Sequence, residues 1–366
     1  MTVAQETPLA GSGSRNRPFR TLRISAVQRL CDDAVAVSFA VPKSYGDEFA
    51  FQAGQSLTIR KVIDGVEQRR TYSVCSAAGT APRIGVREIP GGTFSPWLVH
   101  EVKAGDEIEV QPPSGTFTAE PAVAARHVLI AAGSGITPML SIASTILTNP
   151  DSEVTLLYGN RRAGTVMFAD ELADLKDAYG PRLQLAHVLS REPRGSDLFS
   201  GRLDYDRVRT LLQALVPVTA VDRFWLCGPY GMVVDARKAL VSLGVERARI
   251  REELFFVEDA APIPAVRRES APAGPRSDVT IILDGRTSTM SLPRDSTILD
   301  AAQRSREDLP FACKGGVCGT CRAKVTAGSV QMHRNYALEP DEVAAGFVLT
   351  CQSRPTTDTV TVDFDT

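Results

Sequence analysis

The chain has 366 residues, 43% of them hydrophobic, and its 41 basic and 43 acidic residues leave a formal charge of −2. That length has room for two or three domains with cores of their own. The near-zero charge gives no electrostatic reason to expect a nucleic-acid partner, and no run of about 18 apolar residues suggests a membrane span. The first residues lack the apolar stretch of a secretory signal, so a cytoplasmic protein is expected. In that compartment clustered cysteines argue for metal or redox chemistry over structural disulfides.

Residues 1–17 are polar and rich in Gly, Ser and Arg, and read as a disordered tail. Over 18–122, short apolar runs broken by turns ("AVAVSFAVP", "SLTIRKVIDG", "RRTYSVCS", "RIGVREIPGG", "GDEIEVQPPSG") predict an antiparallel β-barrel interrupted by one helix at "GGTFSPWLVHEV". Over 123–257 the pattern changes to strands alternating with helices, which predicts an α/β domain on a parallel sheet. Residues 258–277 hold prolines and alanines without apolar periodicity and read as an interdomain linker. From 278 to 366 the chain offers a hairpin with an Asp-Gly turn, a helix capped by Ser296 or Thr297, a cysteine-rich loop and closing strands, which is an α+β pattern.

The cysteine loop, "ACKGGVCGTC", supplies Cys313, Cys318 and Cys321, and Cys351 follows far downstream. C-x4-C-x2-C, a long gap and a further C is the ligand spacing of plant-type [2Fe–2S] centres. Gly315, Gly316 and Gly319 let the backbone wrap closely and aim N–H groups at sulfur. Structural zinc sites pair their ligands in two short knuckles, which a lone Cys351 fits less well. Cys31 and Cys75 read as small buried residues, and His100, His127, His187 and His333 show no ligand pattern.

Three further motifs carry cofactor chemistry. In "RTYS", Arg70 can pair with a phosphate, Tyr72 can stack on a ring, and Ser73, after Thr71, can donate to a flavin nitrogen. In "VREIPGGTFS", Gly91 and Gly92 open a helix at Thr93, Phe94 and Ser95. Its N–H groups suit a pyrophosphate, with Val86 and Arg87 alongside. In "AAGSGITPM", Gly133, Ser134 and Gly135 lead into a helix through Thr137 and Pro138, and "CGP" (Cys227, Gly228, Pro229) ends a later strand of the same sheet. Both lie where parallel sheets bind dinucleotides, with Thr137 and Cys227 able to flank a nicotinamide. After the second strand of that domain, Arg161 and Arg162 stand with no adjacent acid, which predicts NADPH over NADH.

In this order and spacing the motifs resemble the ferredoxin–NADP reductase superfamily with a plant-type [2Fe–2S] ferredoxin domain at its C-terminal end. The likeness is strongest to the reductase subunits of phenylacetyl-CoA epoxidases, through "IAAGSGITPML", "LLYGNR", "NYALEPDEVAAGFVLTCQ" and "VTVDFD". The resemblance implies a flavin barrel, a nucleotide domain and a ferredoxin-like (β-grasp) domain, with FAD, a nicotinamide, a [2Fe–2S] cluster and an oxygenase partner. The domain order also resembles phthalate dioxygenase reductase, which carries FMN, so the flavin stays open at this point. The superfamily places a glutamate and an aromatic after the last strand near the flavin, here Glu253 and Phe255, with Glu252 and Phe256 leaving the register ambiguous. Ser73, Cys227 and Glu253 are thereby the expected catalytic set. Other oxygenases as partners, a ring-hydroxylating dioxygenase or a monooxygenase, fit the same chemistry. A cluster-bearing redox sensor is the reading from another class, disfavoured by the intact flavin and nucleotide motifs.

Overall fold

The computed structural model describes residues 18–63, 65–192, 195–256, 274–306 and 308–366. They form two compact units, one holding 19–256 and the other 274–366. The tail read over 1–17 and positions 258–273 of the linker lie outside the described residues.

The first unit begins with β1 (Arg20–Cys31), β2 (Ala34–Ala40), β3 (Ser56–Ile63), β4 (Val66–Ser73), β5 (Arg83–Arg87), α1 (Phe94–His100) and β6 (Glu107–Ser114). The strands make one antiparallel sheet in the order β4-β3-β6-β1-β2-β5, and a bridge between Val74 and Ile84 brings its two ends together as a barrel. Strand β2 explains how the barrel joins the next layer. Its side chains alternate, as strand geometry requires: Val35, Val37 and Phe39 fill the barrel, while Ala34 and Ala36 belong to a second core shared with the α/β layer. The run "AVAVSFA" is therefore apolar on both faces, with the small residues on the side where another layer must come close.

That layer contains β7 (Arg126–Ala132), α2 (Ile136–Ile146), β8 (Glu153–Asn160), α3 (Ala169–Tyr179), β9 (Leu183–Leu189), α4 (Tyr205–Leu215), β10 (Arg223–Pro229), α5 (Tyr230–Ser242) and β11 (Ile250–Phe256). All five strands are parallel, in the order β11-β10-β7-β8-β9. "REELFF", expected after the last strand, is itself the fifth strand. The sheet is covered on both faces, by the shared core with Met139, Ile142 and Phe168 on one and by Val208, Leu212, Val233 and Ala236 on the other. The seam with the barrel is tight. A Cβ on Gly85 of β5 would lie 2.6 Å from Thr137 Cγ2 and 2.8 Å from Phe168 Cζ. Polar ties cross it as well: Ser141 Oγ donates to the Ser76 carbonyl at 2.7 Å, Ala78 N–H donates to Thr145 Oγ1 at 2.9 Å, and Arg83 pairs with Glu171.

The second unit contains β12 (Arg276–Leu283), β13 (Arg286–Pro293), α6 (Ile298–Ala302), β14 (Arg322–Ala327), β15 (Val330–Met332), α7 (Pro340–Ala344), β16 (Phe347–Leu349), β17 (Ser353–Pro355) and β18 (Thr359–Asp363). Strand β12 starts at Arg276, inside the stretch read as linker. The hairpin turn has both Asp284 (φ 53°) and Gly285 (φ 69°) left-handed, the requirement of a tight two-residue turn that Asp-Gly satisfies. Thr297, not Ser296, caps α6, accepting the Asp300 N–H. The main sheet runs β13-β12-β18-β14-β16, with β12 and β18 parallel. Val279, Ile281, Leu299, Leu309, Phe311 and Val362 are among its core. Among the described residues no helix is long and apolar enough to cross a membrane.

Candidate functional site

In the parallel sheet the chain passes outward from β7 through β8 to β9, then returns to place β10 on the other side of β7. This change of direction opens a crevice at the carboxyl ends of β7 and β10, the place where such sheets bind ligands. The glycine turn after β7 and Cys227–Pro229 of β10 stand on either side of it. Their approach is so close that a Cβ on Gly135 would lie 2.2 Å from the Cys227 carbonyl oxygen, so only glycine fits. The turn is braced from below. Tyr158 OH donates to the Gly133 carbonyl at 3.0 Å, and Thr137 Oγ1 donates to the Ser134 carbonyl at 3.0 Å. Thr137, Pro138 and Cys227 are buried beneath the turn. Gly228 is buried and Pro229 half-buried.

Strand β11 carries the next part. Cys227 and Glu253 are direct partners across the β10–β11 pair. Ser73, at the end of barrel strand β4 and 3% exposed, donates its hydroxyl to Glu253 Oε2 at 3.1 Å. The barrel and the nucleotide-type sheet thus meet at Ser73, Glu253 and Cys227. Burial pushes the Glu253 carboxyl up to about 7 against the pull of the Ser73 hydrogen bond. Burial, reinforced by the Glu253 charge, holds the Cys227 thiol well above its ordinary range, so it stays neutral. The register ambiguity resolves by alternation: Glu253 and Phe255 face the seam, while Glu252 turns away to pair with Arg237 at 2.9 Å and Arg247 at 2.7 Å. The side chain of Phe256 lies outside the described residues.

On the other side of β4, Gln68, Arg70 and Tyr72 line up against the opening of α1. The Tyr72 and Phe94 rings stack at 6.3 Å, and the Arg70 guanidinium lies 5.7 Å from the Phe94 centroid. Arg70 also donates to the Arg69 carbonyl at 2.7 Å and to Gln68 Oε1 at 3.2 Å. Thr71 faces the other way and shares a hydrogen bond with Thr58 at 3.2 Å. Thr93 meets Gln68 at 3.0 Å and provides no side-chain cap to α1. Gly91 (φ 75°) and Gly92 form the exposed turn before it. Beside this turn lies a cleft of about 480 Å³ walled by Lys61, Thr93 and Trp97.

Two further expected site residues have partners within the protein. Ser95 is buried, and its hydroxyl accepts the Ile89 N–H at 2.9 Å, closing the glycine turn. Arg87 follows Val86, which is buried in the barrel, and directs its guanidinium at the seam. There it pairs with Asp33 at 3.3 Å, donates to the Thr165 carbonyl, and lies near the Cβ position of Gly133. Arg161 and Arg162 are exposed after β8. The acid missing from the adjacent sequence arrives from elsewhere: Glu192 accepts the Ala163 N–H at 2.8 Å. Asn160, 8% exposed at the end of β8, has no hydrogen-bond partner within bonding geometry for either carboxamide atom among the described residues, though it lies beside Tyr158. Sequence reasoning missed both, since neither has a local signal.

In the second unit, the loop from Cys313 to Cys321 is left-handed at Lys314 (φ 51°), Gly316 (φ 81°) and Gly319 (φ 65°). Among the described residues the four thiols come as two neighbouring pairs, Cys313 beside Cys318 and Cys321 beside Cys351, with no set of three or more around one ion-sized point. The backbone N–H of Gly315 donates to Cys313 Sγ at 3.3 Å, those of Val317 and Cys318 also point at Cys313, and that of Gly316 points at Cys351. Two thiol pairs with amides aimed at sulfur fit a two-iron cluster, whose sulfurs take such hydrogen bonds. Partner thiols draw Cys313 and Cys351 toward thiolate. Cys75 is buried in the seam, and Cys31 is half-buried beside Asp33 and Arg87.

Comparison with known proteins gives the same three parts. Residues 21–119 match the oxidoreductase FAD-binding domain, 129–238 the oxidoreductase NAD-binding domain, and 281–356 the 2Fe-2S iron-sulfur cluster binding domain. One component of the 1,2-phenylacetyl-CoA epoxidase from Escherichia coli (strain K12) is 43% identical, over 95% of this chain and 98% of its own length. This chain belongs to the family of flavin and [2Fe–2S] reductase components of oxygenases. A second such reductase component, the ferredoxin reductase of 3-ketosteroid-9-alpha-monooxygenase from Rhodococcus rhodochrous, is 34% identical over 94% of this chain and 96% of its own. Phthalate dioxygenase reductase, a solved structure, shares the fold at a TM-score of 0.62 and 24% identity, over 94% of this chain and 98% of that one. The reductase has FAD-binding, NAD-binding and [2Fe–2S] domains.

Proposed function

We propose that this reductase takes electrons from NADPH and delivers them, in the cytoplasm, to the oxygenase component of a phenylacetyl-CoA epoxidase. Its domains would be a flavin barrel over 18–122, a nucleotide domain over 123–257, a linker over 258–277 and a ferredoxin domain over 278–366. The observation that carries the reaction is the meeting of Ser73 from the barrel with Glu253 beside Cys227 at the carboxyl edge of the parallel sheet. Bound FAD supplies the conversion of a two-electron hydride into single electrons, the only form a [2Fe–2S] cluster takes.

The residues do the positioning. Arg70 binds a flavin phosphate, with the turn at Gly91, Gly92 and Thr93 presenting N–H groups beside it. Tyr72 and Phe94 form an aromatic wall beside the flavin. Glu253 accepts the one hydrogen of the Ser73 hydroxyl, so that this oxygen faces the flavin ring as an acceptor. Cys227 supplies a neutral, close-packed floor, and Phe255 closes the seam. Gly133, Ser134, Gly135 and the start of α2 receive the dinucleotide phosphates, braced by Thr137 and Pro138, and Gly228 and Pro229 form the facing wall. Cys313, Cys318, Cys321 and Cys351 hold the cluster.

The partner rests on the identity to the epoxidase component. It is tested by reconstitution: this reductase with the oxygenase components of phenylacetyl-CoA epoxidase should support NADPH-dependent epoxidation. Turnover only with a different oxygenase would overturn the assignment. Arg161→Ala or Arg162→Ala should raise KM for NADPH by up to about tenfold, from loss of a charge-assisted phosphate contact, and KM for NADH less. Equal effects, or a wild-type preference for NADH, would remove the NADPH reading.

A further inference from the structure

Gln352 follows directly after Cys351, and nothing in the ligand spacing marks it. Its carboxamide nevertheless connects both ends of the cysteine constellation. Nε2 lies 2.7 Å from the Lys314 carbonyl, 3.0 Å from the Cys351 carbonyl and 3.5 Å from Cys351 Sγ. The backbone of Gln352 is fixed too: its N–H donates to the Leu349 carbonyl at 2.8 Å, and its carbonyl accepts the His333 N–H at 2.9 Å. The side-chain stem lies against the bare face of Gly316, where a Cβ would approach Gln352 Cγ to 3.1 Å. Lys314 is held from its other end by an ion pair with Asp300 at 2.8 Å. Its left-handed backbone directs its carbonyl to Gln352, and the next N–H, of Gly315, donates to Cys313 Sγ.

We propose that Gln352 is a positioning residue that ties the 313–321 loop to Cys351 and sets the reduction potential of the cluster through its amide donor to the Cys351 sulfur. This rests on the four cysteines being the cluster ligands. An N–H donor on a ligand sulfur stabilises the added negative charge of the reduced cluster more than it does the oxidised form, and so raises the potential. The tie to Lys314 adds a second route, because it holds the turn that presents amides to Cys313.

The test is an EPR-monitored redox titration of the full-length holoprotein, with iron, acid-labile sulfide and flavin measured for each variant. Gln352→Met keeps the bulk and removes the donor. Gln352→Glu keeps the shape but places a carboxylate against the Lys314 carbonyl and the Cys351 sulfur. At full cluster occupancy the potential should fall from wild type to Gln352→Met and further in Gln352→Glu, with the flavin potential unchanged. For Gln352→Met the oxidised-to-reduced ratio at a fixed potential should shift about threefold to tenfold, the upper end being about 59 mV for a one-electron couple. An unchanged cluster potential in both variants overturns the proposal. So does loss of the cluster from both, since Gln352 would then be only a brace. A wild-type protein without acid-labile sulfide fails earlier, at the ligand assignment, and overturns both readings.

Discussion

The reductase builds its two redox centres by opposite means. The cluster loop is local: three of its four cysteines lie within one short turn, whose glycines and amides wrap the sulfurs, and only Cys351 comes from afar. The proposed flavin and nicotinamide site lies across the seam of two layers, where Ser73 reaches Glu253 and Gly135 fits under Cys227. The first depends on donor identity, and the second on how closely backbones can approach. The two should therefore respond to different kinds of substitution.

The largest contrast should come from the ligands. Replacing Cys313, Cys318, Cys321 or Cys351 by Ser should strip the [2Fe–2S] centre, as visible absorbance and acid-labile sulfide would record. NADPH-driven reduction of ferricyanide should stay near the wild-type rate, since Ser73, Glu253 and the glycine turn belong to the other compact unit. Loss of both activities together would erase the distinction. Next in size, Arg70→Ala should weaken flavin binding roughly tenfold to a hundredfold, the equivalent of about 1.5–3 kcal/mol for a charge-assisted contact. Fluorescence titration of the apoprotein measures this, and an unchanged affinity would reduce "RTYS" to a strand.

The seam itself is probed by Gly85→Ala, which sets a methyl against Thr137 and Phe168. Overpacking of this kind should cost about 1–3 kcal/mol in urea unfolding while leaving the cluster spectrum untouched. A wild-type midpoint would mean that the two layers part easily. The last effect is electrostatic. Folded Glu253 holds its proton up to about pH 7, against an ordinary value of 4.5. Between those values the folded apoprotein binds more protons than the unfolded chain, so its stability should fall as pH rises through this window. Glu253→Gln should flatten that slope, and an identical pH profile in the variant would show that the carboxyl is not burdened by burial.

This division also sets what could be read from the sequence. Alternation and turn residues gave the barrel, the parallel sheet and the Asp-Gly hairpin, because each is a local pattern. The cysteine spacing was legible for the same reason. The double-faced burial of β2 was not, since alternating Ala and Val look like one apolar run until a second layer claims the alanines. The protein contacts of Arg87 and Ser95 were hidden as well. One serves the seam and the other closes a turn, uses that depend on neighbours far along the chain or on local backbone shape. Glu192 and Asn160 reach the nucleotide edge only through the ends of β8 and β9, and Gln352 matters only because Gly316 leaves room for its stem.

One chain should carry electrons from a nicotinamide to a one-electron centre, and anaerobic titration of the holoprotein with NADPH, followed optically and by low-temperature EPR, tests that route. The flavin absorbance should bleach as the EPR signal of a reduced [2Fe–2S] cluster appears, and that signal should be absent from the Cys351→Ser variant. Flavin bleaching with no cluster signal in wild type at any excess of NADPH would contradict that route.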